Sequence, residues 1–210
     1  MRHNGAVNLH RIGHRLLVAA PGVEVAAATG QVVLHIDDGG AFGDGAHPTT
    51  QLCLAALVRH ARPGALIDLG TGSGVLAIAA AKLGAAPILA VEIDAAAVQI
   101  ARANVARNGV AASVQVEQGS LTEVVAGCFG LTQAPLVVAN ILAHVLVDFF
   151  AQGLADVVTP GGLLILSGIL RTQGPEIRAR LGWHGLTQVA EERRDDWLCV
   201  IAQRAAPPSI

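Results

Sequence analysis

Asp68-Leu69-Gly70-Thr71-Gly72-Ser73-Gly74 decides how this chain folds. The run follows an apolar segment, Ala65–Leu69, and precedes another, Val75–Leu83. The first segment has the length and composition of a buried strand, the second those of a helix that Gly84 stops. Glycines at such a junction let the backbone turn tightly and approach a ligand closely. The same alternation continues outward on both sides. Ile88–Glu92, Ser113–Glu117, Leu136–Ala139 and Leu163–Ser167 read as strands, and Thr49–Arg62, Ala95–Arg107, Leu142–Val158 and Thr172–Leu181 as helices. Pro160-Gly161-Gly162 reads as the stop of the third of these helices. Leu186–Glu192 and Trp197–Gln203, joined by a short charged connection, predict an antiparallel strand pair at the end. Strands alternating with helices predict an α/β fold: a doubly wound, mostly parallel, seven-stranded sheet covered on both faces. Upstream, Leu16–Ala19 and Val32–Ile36 read as short strands, and residues 1–14 as a loose leader.

The strand after the loop ends in Glu92, 22 positions beyond Gly70. An acid there accepts hydrogen bonds from the ribose hydroxyls of a nucleoside. Two cofactor classes share this layout. Dinucleotides require G-x-G-x-x-G, with a pyrophosphate seated on the helix N-terminus. Here the glycines fall as G-x-G-x-G and Val75 stands where the last dinucleotide glycine belongs. That spacing suits S-adenosylmethionine (SAM), whose amino-acid end takes the place of a pyrophosphate. The cofactor-binding candidates on the loop are Asp68, Gly70, Thr71, Gly72 and Gly74, with Glu92 for the ribose and Ser120, after the third strand, for the base. Asp68 is expected to act by accepting N–H groups of the loop rather than by touching the ligand, and Asp94 to cap the helix at Ala95.

Composition narrows the function further. The net charge is −2 and the 14 Lys and Arg residues are scattered, so no basic footprint for nucleic acid is present. Cys53, Cys128 and Cys199 lie far apart, form no C-x-x-C unit, and read as reduced, buried thiols of a cytoplasmic protein. The apolar run Val75–Ala81 is too short to span a bilayer. Eight histidines include no convincing metal spacing; Asp44 with His47 reads as part of a flexible loop, His144 as a partly exposed helix residue, and no metal is expected. Gly39, Gly40, Gly43 and Gly45 crowd into seven residues. Such a segment is costly to order, so Gly39–Thr50 reads as a lid with a soft end at the glycines and a stiff end at Pro48.

Ala41-Phe42-Gly43-Asp44-Gly45-Ala46-His47-Pro48-Thr49-Thr50 resembles the A-F-G-x-G-x-H-P-T-T segment of ribosomal protein L11 methyltransferases. The resemblance continues in register. Asp68–Gly74 is similar to the SAM loop, Val91-Glu92-Ile93-Asp94 to V-D-I-D, Ala139-Asn140-Ile141-Leu142-Ala143 to A-N-I-L-A, Ser167-Gly168-Ile169-Leu170 to S-G-I-L, and Asp196-Trp197 to the late E-W. It covers roughly residues 10–205.

The resemblance implies a Rossmann-like class I SAM-dependent methyltransferase in which Thr50, Gly70, Glu92 and Asn140 line the SAM site. Glu92 stands where the family has Asp, one methylene longer. Family members also carry an N-terminal domain that presents L11, and this chain starts near the linker to it. Residues 1–40 are accordingly expected to be linker with short strands, 41–205 the methyltransferase domain and 206–210 a tail. The expected substrate is a lysine or α-amino group of a protein, L11 or similar, with a small molecule as the alternative and neither nucleic acid nor membrane as a direct partner. Asn140 is the candidate catalytic residue. It follows the fourth strand, at the C-terminal end where open α/β sheets bind ligands, and its side-chain oxygen suits an amine N–H. The Ile141 carbonyl is a second candidate acceptor. The N-P-P-Y form often used on amides and nucleobases is absent.

Overall fold

The computed structural model describes residues 9–206. A small sheet comes first: β1 (Leu9–Ile12) runs antiparallel to β2 (Leu16–Ala19), which pairs in parallel with β3 (Val32–His35). The main domain follows as α1 (Pro48–His60), β4 (Leu66–Leu69), α2 (Val75–Lys82), β5 (Ile88–Glu92), α3 (Ala95–Arg107), β6 (Val114–Gln118), α4 (Leu121–Val125), β7 (Ala134–Asn140), α5 (Ala143–Ala151), β8 (Val158–Leu170), α6 (Gly174–Trp183), β9 (Leu186–Arg194) and β10 (Trp197–Arg204). Its seven strands lie in the order β6-β5-β4-β7-β8-β10-β9. The first five are parallel, and β10 is antiparallel to both its neighbours.

Period-two alternation sends the two faces into two cores. Leu66, Leu136 and Val138 pack with Cys53, Leu57 and Ile78 beneath α1, α2 and the small sheet. Ile67, Leu69, Val137 and Ala139 pack with Leu146, Phe150 and Ile177 beneath α5 and α6. The chain moves outward from β4 to β6, then returns to place β7 on the other side of β4. Winding therefore reverses between β4 and β7, and the crevice above their C-terminal ends is where such sheets receive ligands.

Several expectations needed correction. The segment read as a loose leader contains β1, because its backbone pairs with β2; residues 1–8 of that segment and 207–210 of the tail lie outside the described residues. The helix expected over Leu142–Val158 ends at Ala151, since Gly153 turns left-handed (φ 101°) and the chain then loops back. Leu154, Ala155 and Val157 are buried, which is why the apolar pattern ran on past the helix. Pro160-Gly161-Gly162, expected to stop that helix, lies inside β8. The sheet absorbs it as a bulge: Ala134 pairs with Val158 and Leu136 with Leu163. A proline without an N–H is tolerated there because the ladder is already interrupted. α4 occupies a stretch assigned no element. Of the cysteines, Cys53 and Cys199 are buried but Cys128 is exposed. The Cys53 thiol is pushed well up, first by its bond with the Cys199 thiol and next by burial. Among the described residues no helix is long and apolar enough to cross a membrane.

Candidate functional site

A cavity of about 660 Å³ opens above the C-terminal ends of β4, β5 and β7. Of the residues singled out from the sequence, Gly70, Gly72, Glu92, Ser120 and Asn140 line it. Thr50, Asp68, Thr71 and Gly74 do not; all four are buried behind its wall. His144 is exposed and lies outside it.

Glu92 ends β5, and three backbone N–H groups donate to its carboxylate: Gly72 to Oε2 at 3.0 Å, and Ile93 and Asp94 to Oε1 at 2.8 and 3.1 Å. The acid is thereby locked to the glycine loop; Oε1 is filled by its two N–H donors, and Oε2 keeps a lone pair for a ligand hydroxyl. Glycine is required at 72 because a Cβ there would come 2.5 Å from the Phe42 carbonyl oxygen. Asp94 caps α3 as expected, accepting from Ala96 N–H at 2.8 Å. Ser120 lines the cavity and is also the N-cap of α4, its N–H donating to Glu123 at 2.8 Å.

Asn140 is the last residue of β7. Its Nδ2 faces Thr50 Oγ1 at 3.4 Å, while its Oδ1 is buried with no hydrogen-bond partner. Thr50 itself is fully buried at the start of α1. It contributes by turning the amide, not by reaching the cavity. A buried acceptor left unpaired costs about 1–3 kcal/mol, and where one persists beside a cavity a ligand donor is the natural partner. The turn after Asn140 is built around a second glycine. Gly168 has φ 81°, and a Cβ on it would overlap the Ile141 carbonyl.

Asp68 lies under the loop, fully buried, and accepts the Thr71 hydroxyl at 2.6 Å on Oδ2, while Oδ1 has no partner. Burial raises its carboxyl from the ordinary 3.8 to about 7; the Thr71 hydroxyl and the Ala77 N–H oppose the rise, and the Glu92 charge adds to it. The expectation that Asp68 gathers several loop N–H groups is replaced by this one hydroxyl bond.

The sequence reading assigned no role here to Phe42, His47, Thr49 and Trp197, which all line the cavity. The His47 ring stands edge-on between Phe42 and Trp197, with centroids 5.2 and 5.0 Å away. Its Nδ1 lies 2.8 Å from Thr49 Oγ1 and accepts the Thr49 N–H, capping α1. Asp44 is used locally, accepting Ala46 N–H. Three of these four residues stand in the A-F-G-x-G-x-H-P-T-T run, and the fourth in Asp196-Trp197, so the signal was present in the quoted motifs. The segment expected to be a soft-ended lid is tied down on both sides. Ser73 donates from N–H to the Phe42 carbonyl (2.9 Å) and from Oγ to the Gly43 carbonyl (2.7 Å), and Gln51 donates to the Gly45 and Ala46 carbonyls.

The cavity offers acceptors at Glu92 and Asn140, a glycine edge between them and an aromatic wall. Among the described residues no group of three or more His, Cys, Asp or Glu side chains is placed to hold a metal ion. A parallel sheet reversing beside a glycine loop, with an acid on the next strand, defines the Rossmann-like class used by SAM-dependent methyltransferases. Within that class the chain belongs to the ribosomal protein L11 methyltransferase family: the family profile described as ribosomal protein L11 methyltransferase (PrmA) matches residues 8–205. Ribosomal protein L11 methyltransferase of Pelotomaculum thermopropionicum is 44% identical over 197 residues, covering 93% of this chain and 62% of that protein. The Geotalea uraniireducens protein of the same name is 41% identical over 203 residues, covering 90% and 62%. The crystal structure of a ribosomal protein L11 methylase from Lactobacillus delbrueckii subsp. bulgaricus superposes with a TM-score of 0.83 at 30% identity, covering 94% of this chain and 98% of that one. The chain thus spans a little under two thirds of the length of these two curated relatives.

Proposed function

We propose that this chain is the catalytic part of a SAM-dependent N-methyltransferase acting on a lysine or α-amino group of ribosomal protein L11. Residues 41–205 form the methyltransferase domain on this reading, and residues 1–40 the linker entering it. The observation that carries the proposal is the partnerless Asn140 Oδ1, set at the end of β7 with its Nδ2 occupied by Thr50.

The residues fit the cofactor. Glu92 Oε2 has a free lone pair for a ribose hydroxyl, Ser120 borders the place of the base, and Gly70 and Gly72 border that of the amino-acid end. When bound, SAM supplies a methyl group already activated by its sulfonium. The protein's work is then to align an amine lone pair with that methyl. A lysine amine is protonated near neutrality, with an unperturbed pKa of about 10.4, so it must first release a proton to solvent as it enters the cavity. The apolar side chains of Phe42, Leu142 and Trp197 line the cavity and favour the neutral form. Asn140 Oδ1 accepts one amine N–H and the Ile141 carbonyl a second, leaving the lone pair free to face the methyl. The family's name supports L11 as substrate.

Mass spectrometry of L11 incubated with this chain and SAM tests the reading, with Asn140→Ala and a panel of small amines alongside. Methyl groups on L11 that Asn140→Ala abolishes support it. Methylation of small amines with none on L11 overturns the substrate, and transfer to neither overturns the activity.

A further inference from the structure

Asn104, on α3, and Asn108, the C-cap of that helix, sit one turn apart and are both buried. Each pairs with the backbone of an extended segment as a neighbouring strand would. Asn108 Oδ1 accepts the His35 N–H (2.9 Å) and Nδ2 donates to the His35 carbonyl (2.8 Å). Asn104 Oδ1 accepts the Asp37 N–H (3.1 Å) and Nδ2 donates to the Asp37 carbonyl (2.7 Å). The spacings match. One helical turn rises about 5.4 Å, and residues two apart in a strand are separated by about 6.6 Å with their backbone groups on the same edge. The other edge of the segment is taken by β2, with Ile36 N–H donating to the Ala19 carbonyl at 2.9 Å. The two side chains thus close the free edge of the small sheet.

Only one of the pair goes further. Asn104 Nδ2 also donates to the Ser73 carbonyl at 2.8 Å, inside the glycine loop. Asn108 instead donates to the Asn104 carbonyl within its own helix. Ser73 is fully buried and holds the Phe42 and Gly43 carbonyls. A closed circuit results: Asp37, Asn104, Ser73, Phe42 and back along the chain. The stretch between its two anchors, Asp38–Ala41, arches beside the cavity, and Gly40 and Ala41 line it.

We infer that Asn104 is a positioning residue for the cofactor site, joining the small sheet to the glycine loop and fixing the cavity wall between them. The inference rests on the proposed function only for its choice of cofactor. Because Asn104 contacts loop and sheet together, a shift of the small sheet is passed directly to Ser73. Asn108 grips the same extended segment without touching the loop, so the pair contains its own control.

The experiment compares Asn104→Ala with Asn108→Ala in the full chain. Thermal unfolding reads stability, calorimetry reads SAM affinity, and hydrogen exchange without ligand reads the Ser73 amide. Both variants lose buried hydrogen bonds and are expected to unfold at lower temperature. Asn104→Ala is expected to raise the SAM Kd about fivefold to tenfold, the equivalent of one net hydrogen bond, and to speed exchange at Ser73. Asn108→Ala is expected to leave both within about twofold of wild type, since it removes no bond to the loop. If Asn104→Ala does not fold, Asn104→Asp takes its place, since it keeps the acceptor for Asp37 N–H and loses the donations to the Asp37 and Ser73 carbonyls. Equal changes in the two variants, or no change at Ser73 in either, overturn the inference. Should wild type fail to bind SAM, the proposed cofactor falls, and the ligand-free exchange at Ser73 still decides the role of Asn104.

Discussion

Asp68→Asn removes the one carboxylate buried whole beneath the cofactor loop, and its effect has a sign fixed by the structure. Burial raises this carboxyl from 3.8 to about 7 in the folded chain. Below about pH 4 both folded and unfolded chains hold the proton, and the residue adds no pH dependence. Between about pH 4 and 7 the unfolded chain has released it while the folded chain retains it, so stability falls as pH rises. Above about pH 7 both states are charged and the full penalty is present. The rise from 3.8 to about 7 corresponds to about 4 kcal/mol, of which about 2–3 kcal/mol is lost between pH 5 and pH 8. Asparagine keeps an acceptor for the Thr71 hydroxyl but cannot titrate. Its extra N–H donors carry a cost of their own, about 1–3 kcal/mol, which does not vary with pH. Urea unfolding at both pH values therefore separates the two effects. Wild type is expected to lose about 2–3 kcal/mol more than Asp68→Asn on going from pH 5 to pH 8, with unchanged m-values. Equal losses in the two proteins would show that Asp68 ionises near its ordinary pH and that the buried-charge argument is wrong.

Three further outcomes follow from the same geometry. Asn140→Ala is expected to lower turnover about a hundredfold or more with SAM affinity and melting temperature little changed, by analogy with the loss of one preorganised active-site hydrogen-bonding group; a variant that simply unfolds would make Asn140 structural. Gly168→Ala places a Cβ against the Ile141 carbonyl at a left-handed position, so both stability and turnover are expected to fall; a wild-type melting curve would refute the packing read there. Trp197→Ala opens the aromatic wall around His47 and is expected to raise the KM for the amine substrate more than that for SAM, a split that steady-state kinetics measures directly.

Much of this was legible in the sequence because local signals and tertiary demands agree in the middle of the chain. Strands β4, β5 and β7 are short apolar runs, mostly buried on both faces, β6 alternates buried valines with polar residues, and each is bounded by a glycine, a cap or a polar turn. Glu92 could be placed because its strand must end where the next helix begins. Agreement ends where pairing partners are distant in sequence. β1 has little apolar pattern of its own and exists through its bonds to β2. Pro160-Gly161-Gly162 carries a stop signal that the sheet overrides with a bulge, since β8 is held between β7 and β10. At the site, the sequence named the right segments but not always which side chain faces the ligand. Thr50 and Asp68 are neighbours of residues that line the cavity, and only the packing of α1 and α2 shows that both point behind the wall. The wall of Phe42, His47 and Trp197 joins residues about 150 positions apart in chain, so no local pattern could assemble it. The four glycines before Pro48 read as looseness, whereas three of them stand at close contacts: a Cβ on Gly39 would meet Ile100 at 2.9 Å, one on Gly43 would meet Ser73 Oγ at 2.7 Å and one on Gly45 would meet Val18 at 2.9 Å.

On the proposed function, the cavity above β4 and β7 receives SAM with its ribose on Glu92. Parallel calorimetric titrations with SAM and NAD, on wild type and on Glu92→Ala, test it most directly. The account predicts saturable SAM binding by wild type, weakened tenfold or more in Glu92→Ala because a charged acceptor contributes about 1.5–3 kcal/mol, and no heat from NAD. Tight NAD binding without a SAM signal, or a SAM affinity indifferent to Glu92, would contradict it.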